Sequence, residues 1–315
     1  MSASIFSPTP LPNPVVAPPA AVEFDMSAAD FERIRVLIRR RAGIALNPSK
    51  RTMVYSRLAR RLRATTKPSF TAYLDWLEAS GPAAAEWQEF VNALTTNLTS
   101  FFREAHHFDV LQEHLRKLRG RERVNIWCCA ASTGEEPYTI AIAAMEAFAS
   151  MDPPVRILAT DIDTNVLETA RAASYRDEGI ARLDTDIVRK YFVRGSGANA
   201  GQVKVRPEVA SLVTFRQLNL LDAQWPLRTG FDAIFCRNVM IYFDKPTQLS
   251  VLKRMIPLLS NDGLFFAGHS ESFFHAADVI TSIGRTIYRR SVRSAHESSA
   301  GELARSCAVR TPRVS

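Results

Sequence analysis

From about residue 123 the chain alternates short apolar runs with helical runs, and this alternation restricts its fold more than any other feature. The apolar runs are VNIWCCA, VRILATD, VTFRQLN, FDAIFCRN and GLFFAGHS. Near-continuous apolar strands separated by helices are the pattern of a parallel sheet covered on both faces. A sheet of that kind holds its ligand outside the carboxyl ends of its strands. The polar residues there are therefore the candidate site. The first strand runs into ASTGEEP, the second into ATDID, and later ones into QLNLLD and FCRNVMIYF.

The first of these turns limits the ligand. A phosphate binder would place several glycines there and present backbone N–H groups to the anion. This turn has Gly134 alone, followed by Glu135 and Glu136. Two acids at a helix N-terminus also favour the helix through its dipole. Joined to Asp161 and Asp163 at the tip of the second strand, they point to a ligand without phosphates. An acid at that tip is the usual acceptor for ribose hydroxyls. A positively charged nucleoside, S-adenosylmethionine, meets both conditions.

Ahead of this region lies a different texture. Residues 1–24 are rich in proline and small residues, the composition of a disordered arm. Ser27, with Asp30 three residues on, is a plausible helix cap. Phe31, Ile34, Leu37 and Ile38 then share one helical face. Asn47 and Pro48 open a second helix, with Met53, Val54, Leu58 and Leu62 inward and most arginines outward. Phe70, Tyr73, Leu74 and Leu77 mark a third helix, and Trp87, Phe90, Val91 and Leu94 a fourth. The 315-residue chain carries a net charge of +8, and no acidic residue lies between Glu32 and Asp75. A small, basic, all-helical domain is expected over 25–96, a linker helix over 97–122, and a sheet domain over 123–291. A polar tail follows from 292. A glycine-bearing antiparallel insertion is expected at about 190–215, around GSGANAG.

Several signals point away from other functions. No apolar run approaches the roughly 20 residues of a membrane helix, and no secretory signal is evident. Cys128, Cys129 and Cys236 lie in apolar strands and Cys307 in the tail, as reduced thiols would in a cytosolic protein. Neighbours on a strand, Cys128 and Cys129 should face opposite sides. His106 and His107 should point apart on a helix, and with no third ligand in sight no metal is expected. GHSES at 268–272 approaches a nucleophile elbow but has Ser272 where glycine is needed. GSGANAG is followed by an alternating, proline-containing run, so it is read as a turn and not a phosphate loop. The basic helices could face nucleic acid or an acidic protein surface. Few aromatics are interleaved with the arginines.

The motifs NLTSFFRE, ASTGEEPYTIAI, ATDIDTNVLETA, IFCRNVMIYFDK and GLFFAGHSESF, in this order, resemble the CheR-type chemotaxis receptor methyltransferases. The resemblance extends from about 25 to 290. It implies a Rossmann-like α/β methyltransferase sheet with a small all-helical N-terminal domain and a small antiparallel β insertion. It implies transfer of the S-adenosylmethionine methyl group to glutamate carboxylates of chemoreceptors, leaving S-adenosylhomocysteine. Cofactor contacts are implied at Asn97, Thr99, Arg103, Glu136, Asp161, Asn219, Leu220, Arg237 and Asn238. Arg103 and Tyr242 are candidates for orienting the reactants. Arg51, Arg57, Arg60, Arg61 and Arg63 are candidates for receptor binding, and some members use the β insertion to hold a receptor's C-terminal peptide. A cytoplasmic monomer without nucleic acid or membrane insertion is expected. The alternatives are a nucleic-acid methyltransferase docking through the basic helices and a non-catalytic sensor of the cofactor.

Overall fold

The computed structural model describes residues 23–291. Residues 1–22 of the arm, the tail and Cys307 lie outside the described residues; Glu23 and Phe24, the arm's last two, lie inside them and bond Arg63 and the Tyr55 hydroxyl. Four helices come first: α1 (Ala28–Ala42), α2 (Arg51–Ala64), α3 (Phe70–Ala79) and α4 (Ala85–Leu94). Ser27 and Asp30 form the capping box: the Ser27 hydroxyl accepts the Asp30 N–H and the Asp30 carboxylate accepts the Ser27 N–H, both at 3.0 Å. The second helix is entered through a 3-10 turn at Pro48–Lys50. Ile34, Ile38, Leu58, Leu62, Phe70 and Leu74 close a core of their own. One buried polar group crosses it: Glu86 accepts from Arg61 at 2.9 and 2.5 Å and from the Tyr73 hydroxyl at 2.8 Å. Burial and the adjacent carboxylate drive the Tyr73 hydroxyl far above its ordinary pKa.

The remainder alternates as the sequence implies: α5 (His106–Lys117), β1 (Val124–Cys128), α6 (Glu135–Phe148), β2 (Val155–Asp161), α7 (Thr164–Ala172), β3 (Ser174–Arg176), α8 (Thr185–Tyr191), β4 (Phe192–Arg194), β5 (Gln202–Val205), α9 (Pro207–Ala210), β6 (Val213–Gln217), β7 (Phe231–Cys236), α10 (Lys245–Met255), β8 (Leu259–Ala267), β9 (Ile280–Gly284) and β10 (Ile287–Arg290). The large sheet has the order β6-β2-β1-β7-β8-β10-β9. Its first five strands are parallel, and β10 and β9 pair antiparallel at one edge. Alternation along β1 sends Ile126 and Cys128 into one core and Trp127 and Cys129 into the other. The two adjacent cysteines thus face opposite sides, and all three described cysteines are free.

Three features depart from the sequence reading. Residues 97–105 are turn rather than helix, with Phe102 and Glu104 in the left-handed region. Asn97 and Phe102 bind the sheet domain, while Arg103 Nη1 donates within the segment to the Leu98 carbonyl at 2.9 Å. The antiparallel insertion is three-stranded, because Ser174–Arg176 joins its outer side in the order β3-β5-β4. His106 and His107 do not point apart: they open α5 with ring centroids 4.2 Å apart. His107 is buried, and its Nε2 lies 2.9 Å from the Arg285 carbonyl. Burial leads the lowering of its pKa to about 4, so it stays neutral.

Candidate active site

Turns at the carboxyl ends of β1, β2, β6 and β7 meet the helical domain around a cavity of about 220 Å3. The first turn shows why it holds one glycine. Gly134 has φ +101°, and a Cβ there would meet the Tyr175 hydroxyl at 2.7 Å and the Ala170 Cβ at 2.9 Å. The two glutamates after it diverge. Glu136 lines the cavity, accepting from Arg237 Nη1 at 2.5 Å and from the Cys128 thiol at 3.3 Å. Glu135 accepts instead from the Thr133 hydroxyl at 2.6 Å. Burial raises its pKa against that hydrogen bond. The turn is therefore less negative than its sequence suggests, since Arg237 offsets one of its charges.

At the tip of β2 the two aspartates divide the work. Asp161 lines the cavity and accepts the N–H groups of Ser132 (2.8 Å) and Asp163 (3.0 Å). Burial lifts its pKa to about 6 in spite of these bonds. Asp163 ties the domains together. It caps α7 through Oδ1, and its Oδ2 accepts from the Thr95 hydroxyl at 2.6 Å and the Asn97 amide at 2.8 Å. The Asn97 carbonyl accepts from the Ser132 hydroxyl at 2.9 Å. These contacts draw 97–105 out of helix and onto the sheet.

The turn after β7 carries the rest. Arg237 is buried, and its Nη2 donates to the Arg103 carbonyl at 2.5 Å and pairs with Glu104 at 3.2 Å. Burial pushes Glu104 upward, but Arg237 and the donors of His269 outweigh it and hold it low. Asn238 adopts φ +58°. Glu271, from the turn after β8, is 4% exposed and accepts the N–H groups of Gly268 (2.6 Å), Asn238 (3.0 Å) and Ile241 (3.3 Å). A Cβ on Gly268 would meet Asn238 Nδ2 at 2.3 Å. The elbow-like GHSES is thus a clamp on the neighbouring turn. Ser270 Oγ does lie 3.0 Å from His269 Nε2, which sits 3.1 Å from Glu104 across Nδ1. The Glu271 N–H that an oxyanion would need is committed to the Gly268 carbonyl at 2.9 Å.

Asn97, Thr99, Arg103, Glu136, Asp161, Asn219, Leu220, Arg237, Asn238 and Tyr242 all line this one cavity. The Asn219 amide donates to the Arg41 carbonyl at 2.8 Å and so holds the end of α1 against the site. Sequence reasoning missed the wall contributed by the helical domain, including Ile44, Leu46, Lys50 and Met53. Gly43 was its available signal: φ is +73°, and a Cβ would lie 2.7 Å from the Phe243 ring. Glu104 and Glu271 were also missed, Glu104 because it follows no strand and Glu271 because GHSES was weighed only as a nucleophile elbow.

The arginines of α2 are less free than an outward face implies. Arg51 donates to the Met26 carbonyl, Arg57 to the Thr95 carbonyl, and Arg63 pairs with Glu23 at 2.6 Å. Arg61 pairs with Glu86 at 2.5 Å and Glu89 at 3.3 Å. Among the described residues Arg60 makes no hydrogen bond or ion pair, and it is exposed. Arg57, Arg60 and Arg61 line a second, shallow cleft that shares Thr95 and Asn97 with the cavity.

Residues 97–289 match the family described as CheR methyltransferase, SAM binding domain, and residues 29–95 match CheR methyltransferase, all-alpha domain. This chain belongs to the CheR methyltransferase family. It is 50% identical over 282 residues to chemotaxis protein methyltransferase 2 of Pseudomonas aeruginosa, covering 89% of this chain and 99% of that one. It is 52% identical over 268 residues to the chemotaxis protein methyltransferase of Klebsiella aerogenes, covering 85% and 91%. It is 51% identical over 263 residues to that of Escherichia coli, covering 84% and 91%. The cofactor of a CheR methyltransferase is S-adenosylmethionine, and the donor set here fits it. Asp161 is a carboxylate with further lone pairs for hydroxyl donors. Leu220, Leu218 and Val239 supply apolar wall, and Glu136 an acid for a cationic group. Arg237 Nε is buried without a protein acceptor and lies on the cavity wall. Among the described residues no helix is long and apolar enough to cross a membrane, and no three His, Cys, Asp or Glu side chains are grouped to hold a metal.

Proposed function

We propose that this protein is a cytoplasmic enzyme of chemotaxis that esterifies glutamate side chains on the cytoplasmic domains of chemoreceptors. The half-identity to chemotaxis protein methyltransferases across nearly their whole length carries this reading. None of those relatives' names concerns nucleic acid, so the docking alternative on DNA or RNA lacks support. When bound, S-adenosylmethionine supplies a methyl group on a good leaving group. Asp161 receives the ribose hydroxyls, and Leu220 with Asn219 flanks the adenine. Asn97, Thr99, Glu136, Arg237 and Asn238 hold the remainder, while Arg103 and Tyr242 orient the acceptor at the mouth.

The site lacks a free base, and the proposed acceptor does not need one. Glutamate, with an ordinary pKa near 4.3, is already ionised at neutral pH. On the cavity wall Glu136 is held by Arg237, and Asp161 by two backbone N–H groups. What this chain contributes is alignment in a site closed by the helical domain, an effect worth about 7–11 kcal/mol in well-oriented systems. Mass spectrometry of a receptor cytoplasmic fragment after incubation with enzyme and S-adenosylmethionine tests the reading. Methyl esters confined to glutamates support it, and methylation of nucleic acid alone overturns it.

A finer partner is also proposed. The insertion sheet ends in the edge strand β4, where Val193 is 46% exposed. An exposed edge accepts an extended peptide as an added strand. Arg194, Lys204 and Arg206 give it a positive surround, offset in part by Asp177 at 3.4 Å from Arg194, suited to an acidic, aromatic-bearing receptor C-terminus. Such a tether raises local enzyme concentration without touching the chemistry, and a monomer suffices for it.

A further inference from the structure

An acceptor carboxylate enters the cavity at the end of a short side chain, so the segment bearing it must rest on the cavity's rim. Residues 97–105 and the turn after β7 line that rim, and two carboxylates, buried Glu271 and partly buried Glu104, fix the turn after β8 to them. Glu271 joins the turn after β8 to the turn after β7 through the N–H groups of Gly268, Asn238 and Ile241. Glu104, from 97–105, accepts the His269 N–H at 3.1 Å and pairs with Arg237. Each turn then shows one large apolar side chain to solvent: Leu98 at 80%, Ile241 at 48% and Phe274 at 94% exposure. Phe274 and Leu98 are the two most exposed large apolar side chains among the described residues. Large apolar groups exposed on turns that are bonded to one another are the kind of surface that marks an interaction site. Leu98 lines the cavity itself, and Ile241 directly precedes the cavity-lining Tyr242.

The charge beside this rim selects the partner. The second cleft, with exposed Arg60, shares Thr95 and Asn97 with the cavity, so the basic cleft is continuous with the mouth. A segment that satisfies both must show apolar and acidic side chains on one surface. An amphipathic helix does this, because residues three or four apart are neighbours on its face. Resting on the proposal that the acceptor is a receptor glutamate, we propose that Leu98, Ile241 and Phe274 form an apolar collar that docks the acceptor helix. The collar takes apolar side chains one helical turn from the target glutamate, while Arg60 faces acids further along. It thereby decides which glutamates are esterified.

The test uses the full chain carrying Ile241→Ser and Phe274→Ser together. Neither side chain lines the cavity and neither is buried, so the fold and the calorimetric affinity for S-adenosylmethionine should stay within twofold of wild type. The KM for a receptor cytoplasmic fragment should rise at least tenfold, and the increase should persist at high salt, where the effect of Arg60→Glu fades. Leu98→Ser alone should raise KM in the same direction. A receptor fragment with serine in place of the apolar residue one turn from its glutamate should be a poor substrate for wild type and little poorer for the double variant. An unchanged KM in the double variant overturns the collar while leaving the acceptor assignment intact. Equal loss in Val36→Ser with Ile283→Ser, exposed apolar positions on α1 and β9, also overturns it. Failure of wild type to methylate any receptor glutamate overturns both.

Discussion

The proposed contact of Asp161 with the ribose hydroxyls would join the cofactor's affinity to pH. Its carboxylate is 8% exposed, accepts two backbone N–H groups and titrates at about 6 instead of 3.8, chiefly through burial. Ribose hydroxyls donate, so the ionised form is the one that binds. Affinity should be flat from pH 8 to 7 and weaken about tenfold by pH 5, one unit below the folded pKa. Asp161→Asn keeps the shape but removes the charge and one acceptor. It should bind about 2–3 kcal/mol more weakly, or about 30- to 150-fold, and lose the pH dependence. The stability of the unliganded protein should move in the opposite direction. A carboxyl whose folded pKa lies above its unfolded one contributes stability below about pH 4 that is lost as pH rises through 6. The shift of about two units is worth about 3 kcal/mol. Calorimetric titration with S-adenosylhomocysteine from pH 5 to 8, beside urea unfolding, measures both. A flat affinity in wild type, or wild-type affinity in a folded Asp161→Asn, refutes the assignment.

Arg237→Met should cost about 3–5 kcal/mol in urea unfolding, because it leaves the buried Glu136 and the partly buried Glu104 without their cation; a loss below about 1 kcal/mol contradicts the pairing described. Arg60→Glu should lower receptor methylation at low salt with stability and cofactor affinity intact, whereas Arg61→Glu should destabilise the helical domain by setting a third acid beside Glu86 and Glu89. Matching stability losses in the two would mean that Arg60 is structural as well. Deleting 195–201, at the tip between β4 and β5, should abolish micromolar binding of a receptor C-terminal peptide without changing cofactor affinity. Peptide binding that survives in the folded deletion excludes the insertion as the tether.

The sheet was legible because period and burial coincide. Strands such as FDAIFC are buried along their whole length, and the polar residues that end them can be read off as the site. The four-helix front was legible for the same reason, since Ile34 with Ile38, Leu58 with Leu62, Tyr73 with Leu77 and Phe90 with Leu94 recur at helical spacing and are buried. What sequence could not give was partnership across long separations. NLTSFFRE has helical composition, yet Asp163 and Ser132 hold Asn97 in an extended turn from more than thirty residues away. The arginines of α2 form an outward-looking run, yet Glu23, Glu86 and the Thr95 carbonyl occupy three of them. Ser174–Arg176 is too short to show a period, and only pairing with Gln202–Val205 makes it a strand. Glu271 sits in a motif that suggests a nucleophile, but its neighbours' N–H groups define its role.

The chemical bond formed on the receptor decides the proposed function. Receptor-containing membranes incubated with the protein and methyl-labelled S-adenosylmethionine give that bond directly. The expected result is label on a receptor band that mild alkali releases as methanol, the behaviour of a carboxyl methyl ester, and its loss with Asp161→Asn. Alkali-stable label on the receptor, or label found on nucleic acid alone, would contradict it.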